Sequence, residues 1–170
     1  MTQQEVDVGA LLDALTADTE QLLGKYGTTE PILVGIHTGG VWIARELQQR
    51  LHTPSPVGAL EVAFHRDDHA TSGLKATTQT SDVPTNLDDK VVLLVDDVVH
   101  TGRTSRAAIN ALFDYGRPAR VLLITLVDRG GRELPIQPDL CGLRLEIPPE
   151  ERLKLLGPEP LRVIRKREAA

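Results

Sequence analysis

Apolar residues fall at Val8, Leu11, Leu12, Leu15, Leu22 and Leu23, a helical spacing that predicts an amphipathic helix over about 6–26. Pro31 resets the chain, and Ile32 to Ile36 reads as a buried strand. His37-Thr38-Gly39-Gly40 follows as a tight loop, after which Val41, Ala44, Leu47 and Leu51 mark a helix to about His52. A second strand is predicted from Val57 to Phe64, entered through the Pro54-Ser55-Pro56 turn. From about His65 to Asn86 the pattern lapses into Thr, Ser, Asp and His, a stretch longer than an ordinary connector, as in lids or disordered segments. Periodicity returns with the apolar run Val91 to Val95, which ends on Asp96 and Asp97. A short loop leads into a small-residue helix over about 104–115, stopped by Gly116 and Pro118. Val121 to Val127 is another buried strand, and Asp128-Arg129-Gly130-Gly131-Arg132 reads as a charged, flexible loop. After Pro135 short strands and turns are expected, with Leu153–Leu156 and Leu161–Ile164 as strand candidates. Strands that alternate with helices, then a strand-rich tail, predict an α/β fold: a mainly parallel sheet with an antiparallel appendage. The 170 residues suit a single domain, 1–170, with a full core.

Composition narrows the classes. A net charge of −5 leaves no global basic field for nucleic acid, though a local basic face is not excluded by it. An aromatic content of 3% argues against a stacking platform for single strands. The one cysteine, Cys141, excludes an internal disulfide framework and a cysteine-built zinc site, and it fits a reducing cytoplasm. No apolar stretch approaches membrane-spanning length, and the acidic, polar start MTQQEVDVGA is unlike a signal peptide. A cytoplasmic protein without membrane contact is expected.

The chemistry concentrates in VVLLVDDVVHTGRTSRAAINAL, residues 91–112. A strand delivers two carboxylates to its C-terminal end, where open α/β sheets bind ligands. Gly102 allows backbone N–H groups to turn toward an anion, and the following helix adds its positive end. Adjacent acids beside an anion site suit sugar hydroxyls, or a magnesium ion that rides with phosphates. Loops 37–40, 97–103 and 128–132 leave predicted parallel strands on one edge, and 65–86 is placed to close over them. No Gly-x-x-x-x-Gly-Lys-[Ser/Thr] run and no dinucleotide fingerprint is present. Here the acids come first and the phosphate loop second. That order fits a ribose held between a 5′-phosphate and a second phosphate group.

VVLLVDDVVHTGRT resembles the phosphoribosyl-diphosphate (PRPP) motif of type I phosphoribosyltransferases, and GIHTGGVWIA resembles that superfamily's pyrophosphate loop. FHRDD, RAAINALFDYGRPA and LVDRGGRELPI closely resemble the pyrimidine operon regulator family, PyrR. The likeness spans about residues 31–142 and much of the N-terminal helix. It implies a type I phosphoribosyltransferase fold with a small β-rich hood. It also implies uracil phosphoribosyltransferase activity, which makes UMP and diphosphate from uracil and PRPP. The alternative it carries is a UMP-dependent, RNA-binding attenuator of pyrimidine genes with little or no catalysis.

On this resemblance Asp96 and Asp97 hold the ribose hydroxyls, with Mg2+ held mainly through PRPP and no metal site of the protein's own. Thr101, Gly102, Arg103, Thr104 and Ser105 cradle the 5′-phosphate, although Thr104 reads equally well as a helix N-cap. Thr38, Gly39 and Gly40 form the pyrophosphate loop, where Gly39 stands in place of an arginine common in the family. Arg66 faces the diphosphate from the base of the long loop, and His65 replaces a family tyrosine. Val98, Val99 and Arg129 shape the uracil pocket, while core packing explains the two valines nearly as well. His100 is a candidate base, with a merely solvated histidine as the plainer reading. Homodimers or larger homo-oligomers are implied. For RNA, Arg132 is retained, but Gln137 and Leu143 replace two basic residues of the family's RNA face, which counts against RNA binding. Arg162, Arg165, Lys166 and Arg167 read as a solvated basic tail.

Overall fold

The computed structural model of the protein describes residues 6–62, 80–83 and 85–167. Helix α1 (Val8–Lys25) starts at Asp7, whose carboxylate accepts the Ala10 N–H at 3.0 Å. Strand β1 (Ile32–Ile36) is buried along its whole length. Helix α2 (Gly39–Leu51) begins two residues later with Thr38 as N-cap, so Gly39 and Gly40 form its first turn and not a separate loop. Strand β2 (Gly58–Leu60) is shorter than the sequence predicts. Its partner strand ends at Ile36, opposite Leu60, and His37 spends its N–H on the Leu60 carbonyl before the chain turns away. Ala63 and Phe64 lie outside the described residues, as do 65–79 and Pro84 of the long polar segment.

Strand β3 (Val91–Val99) runs three residues past position 96, where the sequence predicts its end, which takes Asp97 as well as Asp96 into the strand. Strand β4 (Arg120–Asp128) explains the extension, because it stays paired with β3 as far as Val99 opposite Asp128. Helix α3 (Arg103–Leu112) passes into a 3₁₀ turn at Phe113–Tyr115, which Gly116 ends at a φ of +137°. Strand β5 (Leu140–Arg144) pairs in parallel with β4, in the stretch where the sequence predicts short strands and turns without placing this one. Strands β6 (Glu151–Leu156) and β7 (Arg162–Arg167) form an antiparallel hairpin, the expected appendage. The basic tail is therefore a strand. Arg165 and Arg167 approach Glu151, while Arg162 and Lys166 pair with Leu156 and Arg152 across the ribbon.

The five-stranded sheet has the order β2-β1-β3-β4-β5, and every neighbouring pair is parallel. Both faces are covered. Leu12, Leu15, Ile43 and Leu47 pack with Leu33, Leu93 and Ile124 on one face. Ala108 and Leu112 pack with Val34, Leu94 and Leu123 on the other. Each fully buried leucine contributes roughly 2–3 kcal/mol by leaving water. Leu155 joins the first cluster, so the hairpin sits on the α2 side. Gly35 lets α2 approach closely, since a Cβ there would lie 2.5 Å from the Val41 Cα. Among the described residues no helix is long and apolar enough to cross a membrane.

The segment after β4 is tied down, contrary to its flexible reading. Asp128 and Arg132 form an ion pair at 2.6 Å, their side chains only 8% and 14% exposed. The other Asp128 oxygen accepts the Gly130 N–H at 3.0 Å. Burial pushes the Asp128 carboxyl up, but the Arg132 hydrogen bond, the Gly130 N–H and the charges of Arg132 and Arg144 outweigh it, so its pKa lies below the ordinary 3.8. A lowered native pKa means that the pair stabilises the fold above the unfolded carboxylate's pKa. That contribution is lost as pH falls through the native value. Asp128→Asn is expected to lower stability by on the order of 2–3 kcal/mol at pH 7, measured by urea unfolding. The gap to wild type should close as pH drops below about 3.8; a gap unchanged at acid pH would contradict the assignment.

Candidate active site

The chain leaves β1 toward one edge of the sheet and leaves β3 toward the other. The order 2-1-3-4-5 therefore reverses between β1 and β3, and the crevice outside their C-terminal ends is where open α/β sheets take ligands. Two helices begin at this crevice. Helix α2 starts directly after the His37–Thr38 peptide, which is cis, and α3 starts after the His100–Gly102 turn. Neither N-cap closes its helix with a side-chain capping bond, and neither first turn carries an acid. Two positive helix ends thus face one crevice with N–H groups to offer.

The two acids end β3 between those helices. Asp96 is 5% exposed, and its Oδ1 accepts the Asp97 N–H at 2.9 Å. Asp97 is half-buried, and its Oδ1 accepts the Val98 N–H at 2.8 Å. The second Asp97 oxygen, Oδ2, stands over the first residue of α2, only 2.3 Å from where a Gly39 Cβ would fall. Gly40 lies so close to β3 that a Cβ would meet the Val95 carbonyl at 2.4 Å. The glycines of the predicted pyrophosphate loop therefore seat α2 against the strand that carries the acids.

The predicted phosphate loop is a compact turn. Gly102, at a φ of +93°, is the N-cap of α3, so the N-cap reading of Thr104 is overturned; Thr104 lies within the first helical turn. Only glycine takes that φ without strain. Thr101 and Ser105 are buried, and the Thr101 hydroxyl accepts the Arg103 N–H at 3.2 Å. The Arg103 guanidinium turns outward to Glu133, at 2.9 Å and half-exposed.

The remaining site residues separate. Val99 is 2% exposed and belongs to the core, while Val98 is half-buried against the α1–α2 face. Arg129 is half-buried, with its backbone N–H on the Val99 carbonyl at 3.0 Å. The His100 Nδ1 lies 2.8 Å from the Gly130 carbonyl. A carbonyl only accepts, so Nδ1 carries the proton and Nε2 is the ring atom left for other partners. Arg66 and His65 lie outside the described residues. Arg132 is not the surface cation that the sequence suggests, because it is half-buried against Asp128 and also donates to Gln137 Oε1 at 2.9 Å. Sequence reasoning missed the Asp128–Arg132 pair; the signal for it was an acid and an arginine four residues apart at the end of an apolar strand.

A family model described as "Phosphoribosyl transferase domain" matches residues 6–147. The chain is 46% identical over 155 residues to a protein named "Bifunctional protein PyrR" from Pseudomonas savastanoi pv. phaseolicola, which covers 91% of each chain. It is 45% identical over 158 residues to the protein of the same name from Nitrosococcus oceani, which covers 92% of this chain and 89% of the relative. In fold it is similar to a hypoxanthine-guanine phosphoribosyltransferase from Bacillus anthracis, with a TM-score of 0.67, 16% identity and coverage of 89% and 87% of the two chains. A crevice between two open helix starts with paired acids at its floor, and relatedness along nine-tenths of the sequence, lead to one conclusion: this chain belongs to the PyrR family of phosphoribosyltransferases.

Proposed function

We propose that the chain transfers the phosphoribosyl group of PRPP to uracil, giving UMP and diphosphate. The observation that carries the reading is the position of Asp97, at the end of β3 and over the start of α2, next to the turn that opens α3. The α3 start and the residues Thr101–Ser105 take the 5′-phosphate through N–H groups and hydroxyls. Asp96 and Asp97 take the ribose hydroxyls. The first turn of α2, with Thr38, Gly39 and Gly40, takes the diphosphate through its backbone. Val98 and the turn at Arg129 flank the base. This places C1 of the ribose between the acids and α2.

The donor set suits magnesium carried on the substrate. Asp96 and Asp97 are neighbouring carboxylates at the end of β3, oxygen ligands of the kind a hard cation takes. When bound, Mg2+ neutralises charge on the leaving diphosphate. The chain itself aligns N1 of uracil with C1 and keeps water from the reacting centre. The C1–O bond breaks with its electron pair on the diphosphate, the C1–N1 bond forms, and N1 loses its proton. His100 Nε2 is the ring nitrogen available in this turn to receive it. Self-association as a homodimer or larger homo-oligomer in the cytoplasm is part of the proposal.

The word "bifunctional" in the relatives' name points to a second activity, and we infer that its RNA-binding form is weakened here. Arg132 is committed to Asp128, Gln137 accepts from Arg132, and Leu143 sits half-buried in β5. A surface that neutralises fewer phosphates binds RNA less tightly and with a shallower salt dependence.

Three outcomes follow. Uracil with PRPP should release diphosphate in a magnesium-dependent manner, while hypoxanthine and orotate should not. Asp96→Asn with Asp97→Asn should lower kcat/KM by on the order of 100-fold or more; full activity in that variant would refute the site. In a mobility-shift titration with a pyrimidine-leader RNA hairpin, UMP should leave binding unchanged, and a UMP-enhanced shift would restore the regulator reading.

A further inference from the structure

Three consecutive carbonyls at the end of β3 all accept hydrogen bonds from one segment. The Val99 carbonyl takes the Arg129 N–H at 3.0 Å. The Thr101 carbonyl takes the N–H groups of Glu133 and Leu134, at 2.9 and 3.1 Å. The His100 carbonyl, between them, takes no backbone donor from that segment. It accepts from the Arg132 guanidinium, at 2.6 Å.

An anion-binding turn needs this arrangement. In a planar trans peptide the C=O and N–H point in opposite directions. Carbonyls gathered on one side therefore turn the N–H groups of the following residues the other way. A carbonyl left loose at this position is able to swing toward the anion and repel it.

We infer that Arg132 is the positioning residue of the phosphate turn. It holds the His100 carbonyl away from the crevice, and so aims the Thr101 N–H at the 5′-phosphate. The guanidinium suits this task because it is a rigid fork. One arm holds the His100 carbonyl, while the other holds Asp128 at 2.6 Å and Gln137 at 2.9 Å. Its Nε is buried without a hydrogen-bond partner, so the group is placed for these outer contacts. His100 closes the arrangement from the other side, with its ring on the Gly130 carbonyl and packed over Gly131, where a Cβ would fall 2.6 Å from Cε1. Lysine at position 132 keeps the charge beside Asp128, but its single nitrogen does not span both partners.

The inference rests on the phosphoribosyltransferase reading, and its test separates the two. UMP and uridine are titrated by calorimetry into wild type and Arg132→Lys, and PRPP saturation is measured with uracil. Arg132→Lys should weaken UMP about tenfold or more and leave uridine unchanged, because uridine has no 5′-phosphate. The KM for PRPP should rise with kcat nearly kept, the mark of lost ground-state binding. Equal UMP affinity and equal KM in the two proteins would overturn Arg132's role and leave the enzyme reading intact. Equal losses for UMP and uridine would also overturn it, since a general disturbance does not single out the phosphate. Failure of the wild type to bind UMP would sink both. If Arg132→Lys does not fold, Arg132→Gly with millimolar guanidinium takes its place. Recovery of both stability and UMP affinity supports the role, while recovery of stability alone, or of neither, overturns it.

Discussion

Strand β1 lies beside β3 in parallel, Ile32 opposite Val92 and Gly35 opposite Val95. The chain leaves these two neighbours in opposite directions, so α2 and α3 open onto one crevice. Had β1 and β3 been separated by another strand, each helix start would meet its own loop, and no single ligand would reach both. Gly35 and Gly40 make the approach closer still, since side chains at either position would collide with backbone atoms. The crevice is thus a product of sheet order and of missing side chains.

That geometry sets two acids beside two helix starts. Two helix N-termini supply positive potential from the backbone itself, and the N–H groups there need acceptors. Asp97 reaches toward α2 without closing α3, whose first turn has no side-chain cap. A sugar phosphate that presents hydroxyls in its middle and charge at its two ends matches this distribution of donors and acceptors. A nucleotide triphosphate does not, because its charge lies at one end only.

The sequence carried the strands that are buried along most of their length. Ile32–Ile36, Val91–Val95 and Val121–Val127 are apolar enough to be read directly, and the Asp96-Asp97-to-Thr104 run placed the crevice. Strand β5 escaped because Leu140-Cys141-Gly142-Leu143-Arg144 is a half-exposed edge strand, and it is fixed by pairing with a strand sixteen residues earlier at Ile124. The extension of β3 through Val99 likewise depends on β4, a non-local partner. The run Asp128–Arg132 reads as flexible for the same reason. Its glycines suggest freedom, but Gly130 and Gly131 take positive φ in a turn whose donors and acceptors meet residues 99–101. Nothing local in Asp-Arg-Gly-Gly-Arg discloses those partners. Gly39, in turn, reads in the sequence as an arginine lost, whereas in the fold the space beside it is filled by the Asp97 carboxylate.

The Asp128–Arg132 pair shows why a buried ion pair is kept where apolar residues would pack more cheaply. Taking both charges out of water costs several kcal/mol, and their attraction does little more than offset it. An apolar pair at these positions would leave the His100 carbonyl and the Gly130 N–H without partners, a second penalty at the mouth of an anion site. The pair therefore satisfies backbone groups whose direction the turn depends on. The same commitment explains the character of the outer surface. A guanidinium with one arm on His100 and the other on Asp128 and Gln137 is lost to any phosphate outside. In this chain the arginine that fixes the turn before α3 is withdrawn from the outer surface by the same contacts, so order within and basic reach without are competing uses of one side chain.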